Sequence, residues 1–317
     1  MDLLPTDEQQ EIVASVRAVL SDQHTIGEPL SDGLWSAAAA QGWFALGLAE
    51  DLGGVGYSLV EESLLFVELG RVVAPGPFLA TVTAARLAAT SGDTDLAASM
   101  IEGSSRAAWS EPDGDGAMLL DADLATVAVR ATGGLALVDP ASVPSDVVPS
   151  IDELVEVRRS AAAPHELSTH EDPTEALRVR VLLSALMAGI AEATTAQSVE
   201  YGKDREQFGQ PIGGFQAVKH RCADMAVRAE AAVMQVRMAA LATEAGRPDA
   251  GFHVDAAHIV ATGAALENAH WNVQNHGGIG FTWEHTAHRY VTRARVLAQL
   301  AGGRYAAQSS LLERSPA

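Results

Sequence analysis

Between Leu177 and Tyr201 the chain reads as apolar on nearly every side of a helical wheel apart from Arg178, Arg180 and Glu192. A helix without a polar face has to be buried among other helices, so this stretch demands a bundle around it. The sequence that follows supplies one. Phe215, Val218, Cys222, Met225, Ala229, Val233, Val236 and Ala240 recur at spacings of three and four, which makes an apolar seam. Two more helices, about Val254 to Gln274 and Thr286 to Leu300, complete a four-helix unit expected over 174–317.

The rest of the chain divides into two pieces. Residues 1–104 are expected to form a helical domain. Thr6 precedes acidic residues and then Ile12, Val13, Val16, Val19 and Leu20 at helical spacing. A helical run around Leu34 to Gln41, the glycine-rich EDLGGVG of Glu50 to Gly56, and an apolar helix from Leu59 to Val73 follow, the last stopped by Pro75 and Pro77. Over 105–173 the pattern shifts to short apolar runs at Ala125 to Arg130, Leu135 to Val138 and Leu154 to Arg158, separated by Gly, Pro and Asp. This reads as a shortened β domain whose strands leave exposed edges unless a neighbour covers them. The 317 residues are 48% apolar but only 5% aromatic, which suits close-packed helices better than a strand-rich sandwich. The expected fold is mainly α.

Charge and cysteine content narrow the function. A formal net charge of −20 repels polyanions, so no nucleic acid is expected as a partner. Any anionic ligand then needs local help from a few Arg or Lys residues or from helix N-termini. The single cysteine, Cys222, excludes an internal disulfide and fits a reducing compartment. The MDLLPTDEQQ start lacks a basic segment followed by an apolar one, and no run of about 18 apolar residues occurs, so no membrane association and a cytoplasmic location are expected.

Two segments carry the chemistry. Tyr201 opens YGKDREQFGQPIGGFQAVKHRCADMA, a helix end, a Gly/Pro turn and a new helix. The turn sets Arg205 and Phe208 side by side, a guanidinium suited to phosphate and a ring suited to stacking. Taken alone it also reads as a plain connecting turn. Gln274 opens QNHGGIGF, where Gly277, Gly278 and Gly280 allow close backbone approach to a ligand or simply cap a helix. No strand precedes it and the spacing is not GxGxxG, so it is no Rossmann fingerprint.

In this order the two segments resemble the C-terminal domain of the acyl-CoA dehydrogenases, with its R-x-x-F-G-x-x-[IL] turn followed by Q-x-x-G-G-x-G-[FY]. The likeness continues through Glu284, His285, Arg289 and Arg293, and GWFALGLAEDLGGVGYSLVEESLLFVELGR resembles that family's helical first domain. The resemblance implies FAD as cofactor, an acyl-CoA as substrate and an acceptor of the electron-transfer-flavoprotein type. It implies paired subunits that each complete the other's FAD site, with Arg205 and Phe208 at the pyrophosphate and adenosine, and Gln274, Gly277 and Gly278 against the same cofactor.

The family's reaction needs a carboxylate base aimed at the α carbon of the thioester. Alignment on Arg293 and Gln299 places Gly302 of VLAQLAGGRY where the family carries its glutamate, and the family's second location for the base falls near Val179. Glu175, one turn earlier, is the nearest substitute; read as an exposed acid at a helix N-terminus, it would only complement the helix dipole. Trp109-Ser110-Glu111-Pro112 resembles the β domain's entry strand and Asp121 to Asp139 a later part, with the stretch between them missing. His285 and His288 lack a third ligand and read as surface residues, Asp113-Gly114-Asp115-Gly116 lacks the remainder of a calcium loop, and Ser110 has no nucleophile elbow, so no metal and no other catalytic centre are expected.

The resemblance therefore points to the shortened subunit of a heteromeric dehydrogenase, an αβ or α2β2 assembly with a full-length subunit, of the kind that bacteria use in sterol breakdown. Two rivals stand beside it: a self-sufficient homomeric enzyme using Glu175, and a scaffold that no longer touches flavin.

Overall fold

The computed structural model describes residues 4–314. Helix α1 (Asp7–Gln23) opens on a capping box in which Thr6 Oγ1 accepts from Gln9 N at 3.2 Å while Gln9 Oε1 accepts from Thr6 N at 3.0 Å. Helices α2 (Asp32–Ala40), α3 (Leu59–Arg71), α4 (Phe78–Ser91) and α5 (Thr94–Ile101) follow, with a second capping box between Ser58 and Glu61 starting α3. The strands come next: β1 (Arg106–Asp113), β2 (Gly116–Leu120), β3 (Ala125–Arg130), β4 (Leu135–Asp139), β5 (Ser145–Val148), β6 (Val157–Ser160) and β7 (His165–His170).

They form one seven-stranded sheet in the order β5-β6-β2-β1-β3-β4-β7, antiparallel except for the parallel pair β1 and β3. Alternation assigns its two faces. Ala107, Trp109, Val127, Val129, Leu135 and Leu137 join the main core, and Ala108, Ala128, Ala136 and Val138 make a separate cluster on the other side. The sheet is thus larger than the short sequence stretch suggests, and its open edges are β5 and β7. The strand expected at 154–158 starts instead at Val157, because a turn through Asp152, whose carboxylate accepts from Leu154 N, occupies the residues before it.

The C-terminal part comprises α6 (Pro173–Asp204), the two-residue strands β8 (Glu206–Gln207) and β9 (Gln210–Pro211), α7 (Gln216–Glu244), α8 (Ala250–His276), α9 (Ala287–Leu297) and α10 (Gly303–Arg314). The helix expected at 286–300 is α9, which ends at Leu297, and a further helix, α10, starts after a left-handed kink at Ala301. Helix α6 is the axis of the molecule, enclosed by α3, α7, α8 and α9 as its lack of a polar face requires. Its crossing with α3 brings backbone against backbone. A Cβ on Gly70 would lie 2.1 Å from the Leu186 carbonyl oxygen, and one on Gly189 would lie 2.0 Å from that of Val67. That contact seats the N-terminal helices on the C-terminal bundle.

Candidate functional site

Because α7 reverses the chain between them, α6 and α8 run parallel and their C-terminal ends meet at one end of the bundle. The Tyr201 ring lies 4.3 Å from that of His276, and His276 4.2 Å from His285. Ser198 donates to Asn272 Oδ1 at 2.8 Å just below. Burial lowers the pKa of His276, and burial with the neighbouring His276 and His288 lowers that of His285, which favours the neutral form of both imidazoles.

Arg205 caps α6 in an extended conformation, its N–H bonded to Tyr201 O at 2.9 Å. β8 and β9 then close a two-residue hairpin in which Phe208 and Gly209 both have positive φ, 55° and 78°. The left-handed conformation is unfavourable for a phenylalanine, and the ring it presents is 92% exposed, with only an edge-on contact to Phe215 at 6.1 Å. Neither fact serves folding. The Arg205 guanidinium is exposed and has no hydrogen-bond or salt-bridge partner among the described residues.

On the neighbouring end, Gln274 is exposed and Gly277 adopts φ 63° and ψ −140°, a backbone state that in practice only glycine occupies. A Cβ on Gly277 or Gly278 would meet nothing within 4 Å, whereas one on Gly280 would lie 2.7 Å from Val273 O. Gly280 is needed for packing, while Gly277 and Gly278 face open space. No hydrogen bond joins the Arg205 turn to the Gly277 turn among the described residues; the Tyr201–His276 stack links them. Phe281 and Trp283, 70% and 74% exposed, extend the apolar surface beside the glycines. A pocket of about 370 Å³ between the ends of α6 and α7 is lined by Val199, Pro211, Val218, Cys222 and the chain's only two lysines, Lys203 and Lys219. Cys222 is half-buried, and burial raises its thiol pKa.

The position that the resemblance gives to the base lies elsewhere, where the sheet meets the bundle. Ala301, Gly302 and Gly303 have φ of 54°, 78° and 62° in succession. A Cβ on Gly302 would lie 2.9 Å from that of Ala306. Beside this turn is a partly open cavity of about 70 Å³ walled by Pro77, Trp109, Ile190, Leu297 and Leu300, with Asp121 and Arg293 as its charged members. Arg293 donates to Asp152 Oδ2 at 2.5 Å and to Ala74 O at 2.7 Å. Burial, offset in part by Arg293, raises the Asp121 carboxyl to about 6.

Val179, the second base position, is buried and apolar. Glu175 is not the exposed helix-end acid that the sequence suggested. It is 8% exposed, and its Oε2 lies 2.6 Å from Arg86 Nε. Arg86 also donates to Gly47 O at 2.9 Å, and the adjoining Arg178 pairs with Glu62 and Glu244, each at 3.1 Å. Among the histidines, His288 is half-buried with both ring nitrogens unbonded and its ring 4.9 Å from Trp283, so it is not a surface residue either. No group of three or more His, Cys, Asp or Glu side chains suited to a metal occurs among the described residues, and no helix there is long and apolar enough to cross a membrane.

Comparison with known proteins agrees with this architecture. Residues 6–101 match the acyl-CoA dehydrogenase N-terminal domain and residues 175–314 the acyl-CoA dehydrogenase C-terminal domain. The chain is 34% identical over 291 residues to acyl-CoA dehydrogenase IpdE2 of Mycobacterium tuberculosis, covering 90% of this chain and 86% of that protein. It is 34% identical over 289 residues to acyl-CoA dehydrogenase FadE34 of the same organism, covering 85% of this chain but 40% of that longer protein. Among solved structures, the Tcur3481-Tcur3483 steroid ACAD G363A variant superposes with a TM-score of 0.81 at 27% identity, over 97% of both chains. The ChsE4-ChsE5 complex from Mycobacterium tuberculosis superposes with a TM-score of 0.82 at 22% identity, over 100% of both chains. The chain belongs to the acyl-CoA dehydrogenase family.

Proposed function

We propose that this chain is the non-catalytic subunit of a heteromeric, flavin-dependent acyl-CoA dehydrogenase, and that it completes an FAD site held mainly by a full-length partner. The observation that carries this reading is a contrast between two places in the molecule. At the would-be base Gly302 has no side chain, and the adjoining cavity of about 70 Å³ is far below the ~300 Å³ at which ligand pockets begin. At the far end of the bundle, an unpaired guanidinium, an exposed ring on a strained turn and two unobstructed glycines face outward.

Those outward residues suit the cofactor. Arg205 offers a fork for a diphosphate, Phe208 a face for the adenine, and Gln274, Gly277 and Gly278 a side-chain amide and a bare backbone. Held by these residues, FAD would supply the acceptor for the hydride lost from the β carbon of the acyl-CoA. This chain's part is to anchor the dinucleotide end, while the partner supplies the base for the α proton. A neighbour named as a two-component steroid enzyme supports a mixed assembly, which we take to be α2β2, and a sterol-derived acyl-CoA. An acceptor of the electron-transfer-flavoprotein type and a cytoplasmic location go with that reading. The pairing of Glu175 with Arg86 weighs against a self-sufficient enzyme using that carboxylate.

The test is to purify the chain alone and with a complete acyl-CoA dehydrogenase subunit, then measure FAD per chain by absorbance and mass by light scattering. One FAD per mixed pair and none on the lone chain supports the proposal. A lone chain that binds FAD stoichiometrically and reduces it with an acyl-CoA overturns it, and a chain that takes up no flavin in either form points to a scaffold.

A further inference from the structure

Glu111, on β1, lies half-buried where the sheet meets the α9–α10 kink, and its carboxylate takes hydrogen bonds from three separate parts of the chain. Oε1 accepts from Ala301 N at 2.5 Å and from Trp109 Nε1 at 2.8 Å, and Oε2 accepts from Thr132 Oγ1 at 2.6 Å. The donors come from the kink, from Glu111's own strand and from the β3–β4 connection.

What these bonds hold is an unfavourable backbone. Ala301 is left-handed at φ 54° and ψ 36°, a conformation that crowds an alanine Cβ, and the next two residues also have positive φ. Such a turn persists only where its surroundings impose it. Thr132 Oγ1 would lie 3.8 Å from a Cβ on Gly302, so the same group that bonds Glu111 also covers the side-chain-free position. Trp109 and Leu300 are walls of the 70 Å³ cavity, and Glu111 bonds to the first and to the residue after the second.

We infer that Glu111 is a positioning residue that latches the Ala301–Gly303 turn to the sheet and so holds shut the place where this chain's own base would stand. This rests on the shared-site function proposed above, in which the flavin is held away from this turn.

The experiment compares wild-type protein with Glu111→Gln, Glu111→Ala and Thr132→Val, both as the lone chain and in the mixed complex. Three signals are read: amide hydrogen exchange at residues 301–304, the Trp109 indole N–H resonance and FAD per pair. Glutamine keeps Oε1 for both N–H donors and can donate its amide to Thr132 Oγ1, so it should match wild type. Glu111→Ala should speed exchange at the turn tenfold or more and move the indole resonance while one FAD per pair remains. Thr132→Val removes one of the three bonds and should give a smaller change of the same kind, which keeps the test open if the alanine variant does not fold. Unchanged exchange and resonance in Glu111→Ala, with one FAD per pair, overturns the latch alone. A glutamine variant as loose as the alanine variant also overturns it. Two FAD per wild-type pair overturns the shut site and the shared-site function together.

Discussion

Glu175 Oε2 lies 2.6 Å from Arg86 Nε across the junction of α6 and α4, and this pair fixes what the one acidic residue near Val179 can do. Removing the carboxylate leaves a largely buried guanidinium without its partner, which is the costly way to break an ion pair. Glu175→Gln should lower unfolding stability by about 2 kcal/mol in a urea titration and leave turnover of the mixed complex within about twofold of wild type. Turnover abolished at unchanged stability would show instead that Glu175 is the base.

Arg205→Ala removes an exposed, unpaired side chain, so folding should shift by less than about 0.5 kcal/mol. The same substitution takes a charge-assisted contact from the diphosphate and should weaken FAD retention by about tenfold or more on gel filtration of the mixed complex. Flavin content equal to wild type would remove Arg205 from the site.

Phe208 separates function from stability more sharply. Glycine at φ 55° carries no left-handed penalty, so Phe208→Gly should raise stability by up to about 1 kcal/mol while weakening FAD binding. Thermal unfolding of the lone chain together with flavin retention in the complex reads both effects. A variant that loses stability would mean that the ring packs where the structure leaves it exposed.

How much of this was legible in the sequence follows the distance over which each feature is determined. The burial of α6 is written in its own residues, and the Arg205 and Gly277 turns in short local spacings, so all three could be read directly. Glu175 was misread because its partner Arg86 is 89 residues away, and the latch on Ala301 was invisible because Glu111 is 190 residues away. The break between α9 and α10 turns on an alanine in a conformation that no local pattern announces. β7, exposed along most of its length, lacks the apolar alternation that marks a strand. The whole-chain placement of the two outward turns at one end of the bundle needed α7 to reverse the chain, which periodicity alone does not orient.

Gly302→Glu tests whether the missing base can simply be restored. The residue has φ 78°, and a Cβ would press on Ala306 at 2.9 Å, so any side chain there meets both backbone strain and a clash. The substitution should cost about 1–3 kcal/mol in chemical denaturation and give the lone chain no dehydrogenase activity. Turnover by that variant without the partner would mean that the turn opens readily and that a flavin-ring pocket forms in this chain.

The pH response is set by buried groups that pull in opposite directions. Burial raises Asp121 from 3.8 to about 6, so between those values the folded chain binds the extra proton and stability falls as pH rises. Burial lowers His258 from 6.5 to about 4, so over nearly the same window the unfolded chain binds more protons and stability falls as pH drops. His24, His170, His276 and His285 are lowered as well and act in the same sense as His258. Asparagine tolerates the φ of 56° at position 121 and can keep the bond that Asp121 Oδ1 accepts from Glu156 N. Asp121→Asn should therefore be more stable than wild type at pH 7, by about 1–2 kcal/mol, and should lose stability more steeply between pH 6 and pH 4. Urea midpoints at pH 7, 6, 5 and 4 decide it. An asparagine variant less stable than wild type at pH 7 would show that the Asp121 carboxylate gains more from Arg293 than it loses by burial.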